Sequence, residues 1–379
     1  MFFIKNYKVT ISYKINNLEH KVIFCKSGKI NFISSELDKV NSDKNVLLIY
    51  DNKIDIKVLK NIFDELKISG CKVFSIKAKG EKINKNEKFL FNIINFLIKN
   101  KFTKSSVIIS CGGGVIGDVA ALASSLYLRG TNYFSIPSTM TAIVDSSIGG
   151  KTGINYKGII NSLGTYYHPK NVFILEEILS SVPEREYIAG IAEIIKCGLI
   201  DDKRILSFLK KNKDKIILRN YNFVSKICEM TLKSKIKFFS DDVYEKNSRL
   251  ALNFGHTFAH AIEMAIENKL KKDIIRHGEA VALGILCEIY YANKKKTKLF
   301  DLAKELFSIF NLPTELKLKK LKLDKIKLVD EIYKSIFLDK KKIGQYPRYI
   351  SLKKQGKPII NEIKDFDHIN DTILEVLFN

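Results

Sequence analysis

Short apolar runs alternate with longer amphipathic stretches through the first half of the chain. The runs that predict strands are 46–50, 73–76, 107–109, 133–136 and 171–174. Between them, apolar residues recur at helical spacing near 53–69, 87–100 and 115–128. Strands and helices that alternate in this way are typical of a mostly parallel sheet covered by helices. We therefore predict an α/β fold for this part of the chain.

The pattern changes after about residue 178, where strand signals fade and helical periodicity continues. The predicted helices lie near 185–200, 203–212, 222–238, 250–268, 278–294 and 299–310. We predict an α/β domain over residues 1–178 and an all-α domain over residues 179–379. The Lys-rich stretch 314–345 is expected to be a solvated helical surface.

Composition is consistent with two globular domains. The chain has 379 residues, of which 46% are hydrophobic and 28% charged, and this excludes a mainly disordered protein. The sequence contains no apolar run of about 18 residues, and its start lacks the features of a signal peptide. Its six cysteines are scattered without a C-x-x-C pair, which favours a reducing compartment. We expect a cytoplasmic protein without a membrane span.

The formal net charge of +23 raises the question of nucleic-acid binding. However, only seven of the 64 basic residues are Arg, and the lysines are spread along the whole chain. Nucleic-acid binders tend to use Arg for bidentate contacts and to cluster charge on one face. We therefore interpret the charge as solvated surface and predict no nucleic-acid partner.

A glycine-rich segment, Gly112–Asp118, follows the predicted strand 107–109 and precedes an Ala-rich helix. Gly112, Gly114 and Gly117 fit G-x-G-x-x-G, a pattern that lets a backbone approach a pyrophosphate at a helix N-terminus. The usual acidic residue about 20 positions later is missing, so the segment departs from the standard dinucleotide fingerprint. A tight structural turn is the alternative interpretation.

A second segment, Asp145–Asn155, combines hydroxyls, glycines, one carboxylate and one lysine. Gly149 and Gly150 permit a close turn, and Lys151 can bind a phosphate as a point charge. An ordinary polar loop is the alternative, but the density of small and polar groups favours a binding site.

Ionisable residues in the second half suggest a metal site. Glu193 and Lys196 are three residues apart on one predicted helix, where a surface ion pair is the simplest interpretation. His256 and His260 are four residues apart, and His277 follows in His-Gly-Glu. Two imidazoles and a carboxylate leave a coordination position open, as in catalytic zinc sites. Spacing alone allows zinc on Glu193, His277 and either His256 or His260.

These segments together resemble the 3-dehydroquinate synthase family, a group of sugar-phosphate cyclases. The segments that carry the resemblance, in the family's order, are Gly112–Asp118, Asp145–Asn155, Arg185–Lys196, Leu252–Glu263 and His277–Val281. The resemblance extends from about residue 46 to 350. It implies an NAD-binding α/β domain, a helical metal-binding domain and a site in the cleft between them.

The resemblance also implies roles for particular residues. The metal ligands would be Glu193, His256 and His277, with zinc as the metal and cobalt as an alternative. The positions that match substrate contacts are Asp145, Lys151, Asn161, Lys196, Lys235, Arg249, Asn253 and His260, with Lys341 as a weaker match. Those that match NAD contacts are Asp51, Glu81, Gly114, Val115, Ile116, Gly117, Asp118, Ser138, Thr139, Lys151, Ile178, Leu179, Ser180 and Ser181. Arg129 matches an arginine that reaches the partner's site in a homodimer.

The implied reaction is a step of the shikimate pathway of aromatic amino-acid biosynthesis. The substrate would be 3-deoxy-D-arabino-heptulosonate 7-phosphate. Oxidation at C5 acidifies the C6 proton, phosphate is eliminated, C5 is reduced again, and the ring opens and recloses as an aldol. The leaving phosphate can itself accept the proton, so a protein base is not required. Because NAD is regenerated, the enzyme class is a lyase.

Three positions depart from the family pattern. A cofactor-side lysine falls on Ile160, another lysine falls on Asn84, and an acidic residue falls on Leu175. These changes affect expected NAD contacts more than metal contacts, so we expect weaker NAD binding. Three alternatives remain open at this point: another sugar-phosphate cyclase, a metal-dependent polyol dehydrogenase and a catalytically inactive protein.

Overall fold

A computed structural model describes residues 9–26, 32–157, 159–270, 272, 274–318, 323–337 and 346–378. Its strands are β1 (Thr10–Ile15), β2 (Leu18–Cys25), β3 (Asn45–Asp51), β4 (Lys72–Ala78), β5 (Val107–Gly112), β6 (Asn132–Pro137), β7 (Ile154–Tyr156), β8 (Ile159–Leu163), β9 (Asn171–Leu175), β10 (Arg348–Lys354) and β11 (Lys357–Glu362). All five predicted strands are confirmed.

The predicted helical segments are also helical, and the structure adds further helices. They are α1 (Phe32–Leu37), α2 (Ile56–Ile68), α3 (Glu87–Lys99), α4 (Gly114–Leu126), α5 (Glu176–Ser181), α6 (Glu184–Ile200), α7 (Lys203–Lys211), α8 (Lys213–Ile217), α9 (Tyr221–Phe239), α10 (His256–Leu270), α11 (His277–Asn293), α12 (Lys298–Ile309), α13 (Lys325–Phe337) and α14 (Asp367–Leu377). No helix among the described residues is long and apolar enough to cross a membrane.

A seven-stranded sheet forms the centre of the first half, in the order β1-β2-β9-β6-β5-β3-β4. All neighbouring pairs are parallel except β1 with β2. The carboxyl ends of β3, β4, β5, β6 and β9 therefore lie at one edge of the sheet, where ligands bind in open α/β folds. The fold class predicted for this half is confirmed.

The central strands are apolar on both faces because helices cover both. Val46 and Leu48 pack with α1 and α2 on one face, whereas Leu47 and Ile49 pack with α3 and α4 on the other. All four side chains are fully buried. This two-sided burial explains why the strands are continuous apolar runs without alternation.

Helices dominate the second half, as predicted. Helix α10 packs along α11 and α13, and α11 also contacts α12 and α14. The sequence pattern did not predict the antiparallel hairpin β10–β11, which turns at Gly356 with φ +78°. Glu288 is buried and links this hairpin to α10. Its carboxylate accepts hydrogen bonds from the backbone N–H groups of Thr257 and Ile350.

The chain divides into two compact units. The first comprises the described residues up to Tyr187 together with Arg219–Tyr244, and the second comprises Ile188–Leu218 and the described residues from Glu245 onward. Helix α9 thus groups with the sheet, although it follows the first helices of the second unit in sequence. The domain boundary at residue 178 stays a prediction.

Candidate active site

The glycine segment forms the tight corner between β5 and α4. A methyl group at Gly112 would lie 2.6 Å from Cβ of Ile116, so only glycine allows this close turn into the helix. The carbonyl of Gly112 accepts from the backbone N–H of Ser138, which links the ends of β5 and β6. Helix α4 begins at Gly114, and its first N–H groups point out of the carboxyl edge of the sheet.

Polar groups surround a pocket beside this corner. The residues that line it are Gly112, Gly113, Gly117, Asp118, Ala121, Tyr133, Ser135, Pro137, Ala142, Ser146, Ser147, Gly150, Lys151, Tyr167 and Pro169. The structure thus brings the glycine segment and the segment 145–155 to one pocket. Gly149 and Gly150 have φ of +89° and +68°, the left-handed backbone that the sequence predicted for a close turn.

Asp118 pairs with Lys85 at the edge of this pocket. Their Oδ2 and Nζ atoms are 2.5 Å apart, and both side chains are largely buried. Burial raises the pKa of Asp118, and the Lys85 ammonium offsets only part of that rise. Lys85 was not among the predicted contacts. The Asn84 side chain instead donates to the carbonyl of Lys79.

Asp145 and Lys235, two predicted substrate contacts, form an ion pair in which Lys235 is buried and Asp145 is partly buried. The Lys235 ammonium lies 2.6 Å from Oδ1 of Asp145 and also donates to the Asp145 carbonyl. Asp145 belongs to a π-helical turn, Ala142–Ser146, and Lys235 projects from α9. This pair explains how a helix distant in sequence contributes to the first unit's site.

The remaining predicted NAD contacts lie at the same edge of the sheet. Asp51 ends β3, and Glu81 follows β4, where its carboxylate is 3.7 Å from the ammonium of Lys53. Thr139 packs beside the glycine corner, because a methyl group at Gly113 would lie 3.2 Å from Cγ2 of Thr139. The segment Ile178–Ser181 forms most of α5, directly after β9.

Sequence reasoning missed Arg219, which stabilises the end of α5. Its guanidinium donates to the carbonyls of Ser180 and Val182 at 2.9 and 2.5 Å and stacks 4.7 Å above the ring of Tyr187. Arginine thus satisfies carbonyls that a helix leaves open at its C-terminus. Arg219 lies 39 and 37 positions away in sequence from these two residues, so no local pattern identified it.

Three predicted contacts of the first unit with substrate or with the partner's site are exposed. Lys151 lies beside the pocket, and Asn161 lies on the exposed strand β8 with φ +50°. Arg129 ends the helical turn after α4, and both it and Leu128 have left-handed φ values of 60° and 51°. Two consecutive left-handed non-glycine residues are costly, at about 1–3 kcal/mol each. Such strain at an exposed arginine suggests a functional position.

In the second unit, Glu193, His256 and His277 converge from three helices. Their ligand atoms all lie within 4.8 Å of one another. Oε1 of Glu193 is 3.8 Å from Nε2 of His256 and 3.5 Å from Nε2 of His277. Ligand atoms about 2.1 Å from a tetrahedral zinc are separated by about 3.4 Å, so these distances fit a divalent metal. The donor set, two imidazoles and a carboxylate, fits as well.

Each of the two histidines makes a second polar contact through its Nδ1 atom. Nδ1 of His256 lies 3.2 Å from the carbonyl of Phe254, and Nδ1 of His277 lies 3.2 Å from Oε1 of Glu263. Burial alone would lower the pKa of His277, but the carboxylates of Glu263 and Glu193 outweigh it and raise this pKa to about 10. The site therefore favours a positive charge between Glu193 and His277, which a bound cation would supply.

Close helix packing creates this convergence. Gly278 follows His277 at the start of α11, and a methyl group there would overlap the carbonyl oxygen of Ala189 in α6. A methyl group at Gly284 would likewise overlap the carbonyl oxygen of Gly255 at the start of α10. These two glycines let α11 approach α6 and α10 closely enough for the three ligands to meet.

Two other predicted residues, Lys196 and His260, contact these three residues. Lys196 contacts the Glu193 carboxylate, and both side chains are almost fully buried. This burial argues against the surface ion pair that the spacing alone suggested. The ring of His260 is 5.5 Å from that of His256. Arg249 is buried, and Asn253 donates to Glu245 at 2.6 Å. Lys341 lies outside the described residues.

Comparison with known proteins identifies relatives for both halves. The family models of the 3-dehydroquinate synthase N-terminal and C-terminal domains match residues 75–189 and 190–342. The 3-dehydroquinate synthase of Ruminiclostridium cellulolyticum is 32% identical, with 97% of this chain and 99% of the relative covered. That of Prochlorococcus marinus subsp. pastoris is 34% identical, with 98% and 100% covered.

Solved structures share the fold. A 2-deoxy-scyllo-inosose synthase complexed with carbaglucose-6-phosphate, NAD+ and Co2+ has a TM-score of 0.82 at 22% identity, with 97% of this chain and 100% of that chain covered. The 2-epi-5-epi-valiolone synthase of Streptomyces hygroscopicus, with NAD+ and Zn2+ bound, has a TM-score of 0.81 at 19% identity, with 99% of each chain covered. At these identities the likeness concerns the fold alone.

Proposed function

The chain belongs to the 3-dehydroquinate synthase family, and we propose that it converts 3-deoxy-D-arabino-heptulosonate 7-phosphate to 3-dehydroquinate and phosphate. The observation that carries the proposal is the approach of Nε2 of His256 and of His277 to Oε1 of Glu193. This arrangement supplies three protein ligands for a catalytic metal with a position left for substrate oxygen.

The proposed cofactors are NAD and a divalent metal, zinc or cobalt. A bound metal would supply a Lewis acid for the C5 oxygen, and bound NAD would supply an acceptor and donor for the C5 hydride. Glu193, His256 and His277 would hold the metal. NAD would lie against the glycine corner and the strand ends, in contact with Asp51, Glu81, Gly114–Asp118, Ser138, Thr139, Lys151 and Ile178–Ser181.

The chain's own residues would bind and orient the sugar phosphate. Lys151, Asn161, Arg249 and His260 are proposed to hold its phosphate and carboxylate ends, because cations and amides satisfy anionic oxygens. Asp145, Lys196, Lys235 and Asn253 are proposed to contact its hydroxyls. The partly buried Asp145–Lys235 pair supports this role, since each group fixes the orientation of the other.

The proposed active unit is a homodimer in which Arg129 reaches the partner's site. Its exposure and the strained backbone of Leu128 and Arg129 support this proposal. We also propose a cytoplasmic location without a nucleic-acid partner. The six cysteines support that location, because all are buried free thiols.

Two other functions of the same fold compete with this proposal. A different sugar-phosphate cyclase would form another carbocycle, and a metal-dependent polyol dehydrogenase would release NADH. Incubation with the heptulosonate phosphate, NAD and Zn2+, followed by NMR of the product, separates these possibilities. The proposal predicts 3-dehydroquinate. A different carbocycle, or a 5-keto sugar phosphate formed together with NADH, would overturn it.

A further inference from the structure

Glu263 lies behind the proposed metal site and has no role in it so far. It projects from α10, three residues after His260, and its side chain is only 16% exposed. Its Oε1 atom is 3.2 Å from Nδ1 of His277. A largely buried carboxylate is costly unless it is paired and hydrogen-bonded, and His277 provides such a partner.

The contact determines which nitrogen of His277 faces Glu193. An ionised carboxylate can only accept a hydrogen bond, so Nδ1 must carry the proton. Nε2, which is 3.5 Å from Oε1 of Glu193, is then the nitrogen left for a metal, which would replace the Nε2 proton. Carboxylates that hold metal-binding histidines in this way fix the ring and strengthen the ligand.

We infer that Glu263 is a positioning residue that orients His277 for metal binding through a carboxylate–histidine–metal arrangement. The inference rests on the proposed function, because it assumes that His277 binds a metal. The two histidines differ in the charge of the group that contacts Nδ1. The partner of His256 is a neutral backbone carbonyl, that of Phe254, whereas His277 has a charged one.

Glu263 could instead bind a metal itself, since ligand atoms of His260, Glu263 and His277 also lie within 4.8 Å of one another. If each of the two groups held a metal, both sites would share His277. The His277 ring would then bind a metal through each nitrogen and would have to lose both nitrogen protons. The hydrogen-bond distance between Glu263 and Nδ1 favours a proton at that position. The positioning role therefore requires less unusual chemistry.

Titration of the metal-free protein with Co2+ tests the inference, because the visible absorption of bound Co2+ reports both affinity and ligand geometry. E263Q keeps a hydrogen-bond acceptor but loses the charge, and E263A loses both. We expect the Kd for Co2+ to rise about tenfold in E263Q and up to about 100-fold in E263A. The band shape at saturation should stay that of the unchanged protein. E267Q, one helical turn further along α10, is the matched control and should bind normally.

Three outcomes would count against the assignments. An unchanged Kd in both Glu263 variants would overturn the positioning role. A changed band shape at saturation in E263Q would also overturn it, because Glu263 would then be a ligand. E193A separates this inference from the proposed function: if E193A binds Co2+ normally, the metal site itself is wrong. E263Q has nearly the same shape as the native residue, so it remains informative if E263A fails to fold.

Discussion

Gly278, next to His277 in sequence, packs directly against the backbone of Ala189. Any side chain on Gly278 would overlap the Ala189 carbonyl oxygen. The geometry of the proposed metal ligands thus depends on a residue that carries no functional group. The contact is rigid on both sides, since α6 is buried from Ala189 to its end at Ile200.

The substitution G278A should therefore damage folding and metal binding together. Overpacking of a rigid contact costs about 1–3 kcal/mol, and the displaced helix would carry His277 away from Glu193. Urea unfolding and Co2+ titration measure the two effects. G117A is the control, because a methyl group there would be 3.9 Å from its nearest neighbour, the hydroxyl of Tyr133. Normal stability and Co2+ affinity in G278A would contradict the packing argument.

The substitution I160K should tighten NAD binding. A buried charge-assisted contact is worth about 1.5–3 kcal/mol, but Ile160 is 48% exposed, so we expect a gain of about tenfold or less. Calorimetric titration with NAD measures it. I159K is the matched control, because Ile159 is 45% exposed and is the preceding residue of β8. Equal effects of the two variants would show that a general gain in positive charge is responsible.

Arg129 should act across the proposed dimer. R129A and K151A should each be nearly inactive alone. If the two variants are mixed and exchange subunits, one of the two sites in each heterodimer carries both intact residues, and activity should return. Phosphate release measures the recovery.

The alternative is that Arg129 acts within its own chain or only stabilises the end of its helix. Native mass spectrometry of differently labelled variants shows whether subunits exchange. Exchange without recovery of activity would contradict a composite site.

Asp43 should make the stability of the first unit depend on pH. Burial tends to raise its pKa, but hydrogen bonds from Ser106, Thr103 and Asn45 outweigh it and lower this pKa. Because the pKa of Asp43 is lower in the folded than in the unfolded state, its ionised carboxylate stabilises the folded state at pH values above the unfolded-state pKa of about 3.9. This contribution is lost as the pH falls through the folded-state value.

D43N should therefore destabilise the protein at about pH 7, and the difference from the unchanged protein should shrink at about pH 3. Urea midpoints at the two pH values measure it. D38N removes only an exposed ion pair with Lys44 and should have little effect at either pH. A difference for D43N that is the same at both pH values would exclude the ionised carboxylate as its cause.

Local patterns predicted much of the fold. The run Val107–Ile109 is a buried strand because apolar residues on both faces can only be covered in a sheet with helices on each side. Periodicity does not tell which unit a helix joins, and α9 groups with the sheet. The hairpin β1–β2 was not predicted either, although its turn at Asn16 and Asn17 uses left-handed residues typical of such turns.

The candidate site was only partly predictable for the same reason. Spacing left the choice between His256 and His260 open, because both lie on one face of α10. In the structure His256 is 3.8 Å from Glu193, which favours it as the ligand. Glu263 was missed as a separate feature, although its spacing of three residues from His260 places both on one helix face. Its contact with His277 depends on how two helices pack, which a local pattern does not contain.

The proposed reaction is tested most directly by recording phosphate release and NADH absorbance at the same time. The assay contains heptulosonate phosphate, NAD and Zn2+. We predict one phosphate per substrate consumed while NADH stays at a low, constant level, because the hydride returns to C5. K151A should release little phosphate under the same conditions. NADH that accumulates in proportion to substrate consumed, or no phosphate release from protein shown to hold both metal and NAD, would contradict the assignment.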